Sequence, residues 1–399
     1  MNELSVEQVP EPRMRNDQDM IVRLIAGTTC GSDLHLIGGY IPAVQAGDVT
    51  GHEFIGEVVE SGPEVRRHRV GDRVMVCSFV GGGRCWYRAH DLWSLCDNAN
   101  TNPGIGQALF GYEAAGGVFG YSHAMGGLRG SHAEHVRVPF ADYGAFTVRE
   151  GVDDTSALFV PDSVPNGWTG AHLGGVQPGD TVAVRGCGAV GQMAARAAIP
   201  LGAERVISID PVPERLSMTE RFVGSKTLDY GSTDIAAELR ERTGGRGPDV
   251  CVEAVGMEAH RNGPAHLYGQ VEQRLRLQTD RPTAVRQAIH ACRKAGTVFV
   301  LGVSTGAVDT FPPRRSRQQG PHRARRADAR PAPHSHAPGA RGRRRPPDLA
   351  AGHAHDVLGR SAAGLRHVQA QDGRMRTRRH PTRDVAPSPG PSRREGEPS

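Results

Sequence analysis

The chain of 399 residues lacks any long apolar run, and this absence excludes proteins built from membrane-spanning helices. No apolar stretch approaches the roughly 18 residues that a membrane span needs. The first residues, Met1 to Leu4, form neither the basic region nor the apolar core of a secretory signal. We therefore expect a cytoplasmic protein with no membrane partner.

The chain has only seven cysteines, an odd number, and they are scattered along its length. A disulfide framework belongs to short secreted chains with paired cysteines, so that class is excluded, while metal binding stays open. Hydrophobic residues make up 38% of the chain, and its 52 glycines bring the apolar share close to the roughly 45–50% of globular proteins. A wholly disordered protein is excluded as well.

The last 86 residues contain no lysine, isoleucine or aromatic residue. Residues 314–399 hold 20 Arg against 7 acidic side chains, whereas residues 1–313 hold 28 basic and 36 acidic ones. Such a tail buries too little apolar area to offset the cost of ordering its backbone. We predict an acidic globular front and a disordered Arg/Pro-rich tail, and its composition suggests the hypothesis of a GC-rich gene read out of frame.

The globular front divides into two patterns, which predict domains at residues 1–153 and 154–313. In the first, short strands such as Ile21–Leu24, Phe54–Val59 and Arg73–Val76 alternate with Gly-rich turns. Glycines within strands are typical of bulges and barrel corners, so this pattern predicts a compact β-barrel-like domain.

In the second pattern, β-branched strands alternate with helices, which predicts a parallel sheet covered on both faces. The predicted strands are Thr181–Val184, Arg205–Asp210, Val250–Val255 and Thr297–Leu301, and the predicted helices are Gly191–Leu201, Glu214–Phe222, Asp234–Thr243 and Thr283–Lys294.

A glycine loop follows the first of these strands, with the sequence Gly186-Cys187-Gly188-Ala189-Val190-Gly191. It fits the G-x-G-x-x-G pattern, whose glycines permit a tight turn and let a helix N-terminus approach a pyrophosphate. Asp210 ends the next strand, where a carboxylate accepts hydrogen bonds from a ribose and repels a 2′-phosphate. The loop therefore predicts a nicotinamide dinucleotide site, with NAD preferred over NADP.

Further residues around the loop complete the predicted cofactor site. Ala189 and Val190 open the helix, and Val255 ends the strand Val250–Val255. Arg215 either stacks on adenine or is a solvated helix residue.

Two short segments of the first domain are rich in potential metal ligands: Cys30-Gly31-Ser32-Asp33-Leu34-His35 and Gly51-His52-Glu53. A thiolate, an imidazole and a carboxylate together suit Zn²⁺. Taken singly, Cys30 reads more often as a small buried residue and His52 as a satisfied core histidine.

Together these motifs resemble the zinc-dependent medium-chain alcohol dehydrogenases. The run Gly51-His52-Glu53-x-x-Gly56-x5-Gly62-x-x-Val65 matches the zinc signature of that family. Five further runs are similar to its glutathione-independent formaldehyde dehydrogenase and formaldehyde dismutase branch: Ser94–Asn98, Gly120–His123, Val138–Asp142, Thr243–Asp249 and Thr279–Thr283. The resemblance implies an α/β architecture: a GroES-like β-barrel catalytic domain followed by a Rossmann doubly wound parallel sheet.

The resemblance also implies one catalytic zinc, held by Cys30, His52 and Asp162, although an Asp after Pro161 can equally cap a helix or turn. Glu53 is then a supporting group or transient ligand. Ser32 takes the proton of the substrate hydroxyl and His35 relays it to solvent, unless His35 is a surface histidine. Hydride passes from a small alcohol or hydrated formaldehyde to NAD.

The sequence departs from this family in two places. Where relatives carry four zinc-binding cysteines, this chain has Gly82, Cys85, Arg88 and Cys96, so we predict no structural zinc. The lobe is then held by packing, with Trp86, Tyr87 and Trp93 as candidate anchors. The tail replaces the ending of relatives, which leaves Thr297–Leu301 as an exposed apolar edge and predicts a disturbed homo-oligomer.

Two other functions remain possible from the sequence. One is a catalytically impaired remnant that binds NAD, and the other is polyanion binding through the basic tail. The tail has no aromatic residue for base stacking, so we expect no specific nucleic-acid partner.

Overall fold

The computed structural model describes residues 4–82, 84–90, 92–110, 116–256 and 283–303. The predicted tail at residues 314–399 and the run Thr279–Pro282 lie outside these residues. Two five-stranded sheets, formed in succession along the chain, account for the described strands.

In chain order the strands are β1 (Met20–Thr28), β2 (Glu53–Ser61), β3 (Arg73–Val76), β4 (His135–Val138), β5 (Ala145–Thr147), β6 (Thr181–Arg185), β7 (Arg205–Asp210), β8 (Lys226–Asp229), β9 (Val250–Glu253) and β10 (Thr297–Val300). The helices are α1 (Gly31–Ile37), α2 (Trp86–Ala89), α3 (Pro103–Phe110), α4 (Ala141–Gly144), α5 (Asp154–Leu158), α6 (Ser163–Leu173), α7 (Ala189–Ala198), α8 (Pro213–Val223), α9 (Ile235–Glu241) and α10 (Thr283–Ala291). Two 3₁₀ turns cover Trp93–Leu95 and His123–Met125.

The first sheet is antiparallel, with the strand order β4-β1-β2-β3-β5. The register of β1 against β2 shifts between Leu24 and Ala26, and Gly56 is paired at this point. A Cβ at Gly56 would meet the carbonyl oxygen of Arg23, so only glycine fits there. The expectation that a glycine within a strand marks a bulge is confirmed at this position.

The second sheet is parallel, with the strand order β10-β9-β6-β7-β8. Helices α6, α7 and α8 contribute to the apolar cluster on one face, and α9 and α10 to the cluster on the other. The predicted parallel sheet with both faces covered is therefore confirmed. Among the described strands, β10 is at the edge of this sheet, and its Val300 is exposed.

Local capping explains why several helices are shorter than the sequence pattern predicts. Helix α9 begins after Asp234, whose carboxylate accepts the backbone N–H groups of Ala236 and Ala237 at 3.1 Å each. Helix α7 ends at Ala198, before Gly202 with its positive φ of 99°. The prediction for α9 included the capping residue Asp234, and the prediction for α7 ran three residues past its observed end, to Leu201.

Helix α6 packs closely on α7 beside the second sheet. A side chain at Gly167 of α6 would meet the Cβ of Met193 and, at 2.6 Å, the backbone nitrogen of Ala194. Phe159, just before α6, also packs with Met193 and Ala189. This contact holds the chain around residue 162 next to the start of α7.

We expect Gly167→Ala to destabilise the protein by about 1–3 kcal/mol, because the new methyl overpacks the α6–α7 contact. Chemical denaturation would measure the change. Gly104→Ala is the matched control, since a Cβ there meets nothing within 4 Å and the residue is also in a helix. Equal stability of the two variants would contradict this account of the helix contact.

Candidate active site

Four potential metal ligands converge where the first sheet meets the segment before α6. Cys30 lies two residues after the end of β1, and His52 directly precedes β2, whose Glu53 pairs with Thr28. Asp162 directly precedes α6. One ligand atom from each of Cys30, His52, Glu53 and Asp162 lies within 4.8 Å of the others. The structure thus brings the three predicted zinc ligands together and adds Glu53 to them.

His52 is oriented by Asp33, a buried residue to which the sequence analysis gave no role. The Asp33 carboxylate accepts the backbone N–H of Cys30 at 2.8 Å and of Gly51 at 3.2 Å, and its Oδ1 lies 3.4 Å from His52 Nδ1. With Nδ1 facing Asp33, Nε2 is the nitrogen available to a metal. A carboxylate behind a histidine ligand is the usual support of such sites. The sequence signal that could have identified Asp33 is its position three residues after Cys30.

Burial and charge oppose each other at this pair. Burial raises the pKa of Asp33, but the His52 imidazole and the Cys30 N–H outweigh it and hold that pKa below its usual value. Burial lowers the pKa of His52, but Asp33 and Cys30 raise it well above the usual range. The two shifts favour an anionic Asp33 and a positively charged His52, the two forms that attract each other.

Asp162 occupies the N-cap position of α6 but makes no capping hydrogen bond through its side chain. Its Oδ1 instead accepts the hydroxyl of buried Ser78 at 2.7 Å. The alternative of a helix-capping Asp162 is therefore wrong for this residue. Ser78 was missed because nothing in its sequence neighbourhood links it to a residue 84 positions away.

Glu53 shows that the site as a whole fits a cation. Burial and the nearby Asp162 and Cys30 raise the pKa of the Glu53 carboxyl well above its usual value. Ser163 donates its hydroxyl to Glu53 Oε1 at 3.5 Å, the long end of a hydrogen bond. A thiol, an imidazole and two buried carboxyls suit Zn²⁺, whose charge would offset their repulsion.

The two predicted proton-transfer residues lie in α1, directly after Cys30. Ser32 Oγ is 3.7 Å from Cys30 Sγ, at the margin of the four ligands. His35 follows three residues later, on the same side of the helix. It is only 3% exposed and its ring meets Tyr40 edge-on, so the alternative of a surface histidine is wrong.

The glycine loop has the geometry that its pattern predicts. Gly186 has φ +89°, and a Cβ there would meet the carbonyl oxygen of Ala254 at 2.8 Å and Val255 at 3.0 Å. A Cβ at Gly191 would collide with the carbonyl oxygen of Gly186, whereas one at Gly188 meets nothing within 4 Å. The backbone at Gly188 is thus open to a ligand. Ala189 and Val190 form the first turn of α7.

Asp210 lies beside this loop and is almost fully buried. Its carboxylate accepts the backbone N–H of Cys187 at 2.7 Å and of Val212 at 2.9 Å. Arg215 Nη1 lies 4.0 Å from Asp210, so Arg215 faces the loop and is not a purely solvated helix residue. Asp210 therefore supports the loop. Its carboxylate oxygens retain lone pairs that can accept hydrogen bonds from hydroxyl groups.

In the lobe without the expected cysteines, one of the three predicted anchors, Trp93, packs against Arg88. Arg88 lies over the ring of Trp93 and 5.3 Å from the ring of Tyr143. Trp86, a predicted anchor, is 59% exposed and stacks on His90, so that prediction was wrong. Within the described residues, the cluster around Cys30 is the one group of three or more potential metal ligands.

None of the described helices combines the length and the apolar character needed to cross a membrane.

Two family models match this chain. Residues 16–146 match the alcohol dehydrogenase GroES-like domain, and residues 189–267 match the zinc-binding dehydrogenase family.

Curated relatives show similarity along most of the chain. It is 35% identical over 310 residues to the uncharacterized zinc-type alcohol dehydrogenase-like protein AdhB of Bacillus subtilis, covering 77% of this chain and 78% of AdhB. It is 33% identical over 323 residues to the glutathione-independent formaldehyde dehydrogenase of Pseudomonas aeruginosa, covering 77% and 75% of the two chains.

Solved structures show the same architecture. The alcohol dehydrogenase of Thermus sp. ATN1 has a TM-score of 0.61 at 30% identity, covering 78% of this chain and 77% of its own. A zinc-binding dehydrogenase of Sinorhizobium meliloti, solved with NADP bound, has a TM-score of 0.59 at 25% identity, covering 79% of both chains.

Removing the Ser78 hydroxyl tests how the site positions Asp162. We expect Ser78→Ala to weaken zinc binding by about 10–100-fold, the usual effect of losing a group that supports a ligand. Competition with a chromophoric chelator measures this affinity without using activity. Ser208→Ala removes a buried hydroxyl that bonds Ser225 in the second sheet, and should leave zinc affinity unchanged. A Ser78→Ala variant with unaltered affinity would contradict the role of this hydrogen bond.

Proposed function

The chain belongs to the zinc-dependent medium-chain alcohol dehydrogenase family, and on this premise we propose that it oxidises a small alcohol or hydrated formaldehyde with NAD as the hydride acceptor. The observation that carries the proposal is the group of Cys30, His52, Glu53 and Asp162, whose ligand atoms lie within 4.8 Å of one another. The similarity of the chain to a formaldehyde dehydrogenase supports this substrate class.

The proposal also depends on how the metal ligands are connected to the glycine loop. Asp162 directly precedes α6, and α6 packs on α7, which begins at the glycine loop. This helix contact fixes the position of a substrate at the ligands relative to a cofactor at the loop. Such fixed positioning of two reactants is a major source of rate acceleration.

A zinc ion bound by Cys30, His52 and Asp162 would act as a Lewis acid on the substrate oxygen. Glu53 supports the site as a neighbouring carboxylate. Asp33 holds the His52 ring, and Ser78 holds Asp162.

Proton removal is assigned to Ser32, whose hydroxyl lies beside Cys30 and accepts the proton of the substrate hydroxyl as its own proton moves on. His35, on the same side of α1, receives that proton. Because His35 is buried, the proton leaves it through another polar group and not directly into bulk water.

We propose one zinc per chain and a boundary between the two domains at residues 153 and 154, with the second domain ending at residue 313. The lobe at residues 82–96 has two of the four family cysteines, and two thiols cannot complete a tetrahedral zinc site. Strand β10, at the edge of the sheet formed by the described residues, leaves Val300 exposed, which supports the proposal of an altered homo-oligomer.

Cys30→Ser tests the metal site directly. We expect it to lose both bound zinc and NADH formation from formaldehyde or short alcohols, because a hydroxyl is a much weaker zinc ligand than a thiolate. Metal analysis and absorbance of NADH measure the two effects. Cys77→Ser, at a half-buried cysteine outside the ligand group, is the control and should keep its zinc. Wild-type zinc content in Cys30→Ser would overturn the assignment.

Cofactor choice is tested at Asp210. We expect the wild-type protein to favour NAD over NADP, and Asp210→Asn to reduce that ratio of kcat/KM values by about tenfold, or ~1.4 kcal/mol, because the repelled 2′-phosphate no longer faces a charge. The ratio is the readout, since loosening of the loop at Cys187 affects both cofactors alike. An unchanged ratio would show that Asp210 only supports the loop.

A further inference from the structure

The lobe at residues 82–96 brings two thiols together that the proposed reaction does not use. Cys85 precedes α2, and Cys96 follows the 3₁₀ turn Trp93–Leu95. Their sulfur atoms lie 3.8 Å apart. Cys85 is partly exposed, whereas Cys96 is 2% exposed. One thiol therefore meets solvent and the other lies directly behind it.

Backbone amides point at both sulfur atoms. The N–H of Gly82 donates to Cys96 Sγ at 3.2 Å, and the N–H of Arg88 donates to Cys85 Sγ at 3.4 Å. Hydrogen bonds donated to sulfur stabilise the thiolate, which is the nucleophilic form. Burial raises the pKa of Cys85, but hydrogen bonds from Arg88, Asp97 and Cys96 outweigh it and lower that pKa.

A second thiol pair, Cys251 and Cys292, has the opposite environment. Both residues are almost fully buried. The Cys292 thiol donates to the carbonyl oxygens of Thr297 at 3.4 Å and Pro248 at 3.5 Å. The bond to Cys292 and burial raise the pKa of Cys251 well above its usual value. In both pairs the two thiols lie close together. The pKa is lowered at Cys85 and raised at Cys251.

The remaining cysteines are also protected. Burial raises the pKa of Cys77 and of Cys187 to about 12 in each case. Cys30 lies among the proposed zinc ligands, where a bound zinc ion would occupy its thiolate. Cys85 is consequently the thiol in this chain best placed to react.

We propose that Cys85 and Cys96 form a redox-active pair that closes into a reversible disulfide when a hydroperoxide is present. The Cys85 thiolate attacks one peroxide oxygen, the O–O bond breaks, and the departing alkoxide or hydroxide takes up a proton. The resulting sulfenic acid is attacked by Cys96, a sulfur–sulfur bond forms and water leaves. Two thiols are oxidised, and the hydroperoxide is reduced to an alcohol or to water.

The rest of the lobe permits this closure. Arg88 is clamped over Trp93, so the segment between the cysteines is already folded back on itself. The disulfide then joins its two ends in place of the zinc that relatives hold there. Disulfides of this kind in reducing compartments are transient and sense oxidants.

The test uses the full-length, zinc-loaded protein. It is treated with hydrogen peroxide, its remaining thiols are blocked with N-ethylmaleimide, and a non-reducing digest is analysed by mass spectrometry. We expect a peptide linked through Cys85 and Cys96, lighter than the reduced pair by two hydrogen atoms and restored to thiols by dithiothreitol. Zinc measured in parallel should stay at one per chain.

Two variants sharpen the result. In Cys85→Ser, Cys96 should remain a thiol after the same treatment, because no sulfenic partner forms. In Cys251→Ser, the Cys85–Cys96 link should form at the wild-type rate.

Three outcomes would overturn the proposal: oxidation of Cys85 to a sulfinic acid with Cys96 intact, preferential linkage of Cys251 to Cys292, or a second metal ion held by Cys85 and Cys96. The wild-type measurement decides among them without any variant. It is also independent of whether the chain oxidises alcohols.

Discussion

The structure depends on how several buried acidic groups are accommodated at one point. Glu53 and Asp162 lie close to the Cys30 thiol, and burial together with these two neighbours raises the pKa of Glu53 well above its usual value. Removing like charges from water costs several kcal/mol per ion unless a positive charge compensates. A divalent cation would supply that compensation, so the fold around these residues is suited to binding a metal ion.

The elements around the site follow from that requirement. The bulged pairing of β1 with β2 brings Cys30 beside His52, and Asp33 fixes both through its carboxylate. Asp162 lies between the strands of the first sheet and those of the second, at the start of a helix that packs on the helix of the glycine loop. The four candidate metal ligands and the glycine loop are therefore connected through α6 and α7.

Sequence reasoning recovered what local patterns encode. The β-branched runs predicted β6 and β7, and the glycine spacing predicted a loop whose backbone is open at Gly188. The choice of Cys30, His52 and Asp162 came from the family resemblance. Asp33 and Ser78 were missed because their contacts depend on chain segments that only the fold brings together, and Trp86 was misjudged because aromatic character alone does not indicate which side of a lobe a ring covers.

The central claim is that a single metal ion is held by one thiolate together with nitrogen and oxygen ligands. X-ray absorption at the zinc edge of the full-length protein tests it most directly, since sulfur scatters at about 2.3 Å and nitrogen or oxygen at about 2.0–2.2 Å. The account predicts one sulfur atom per zinc, from Cys30, with the other ligands nitrogen or oxygen. An average of two or more sulfur atoms per zinc would contradict it, because the metal would then occupy the lobe of Cys85 and Cys96.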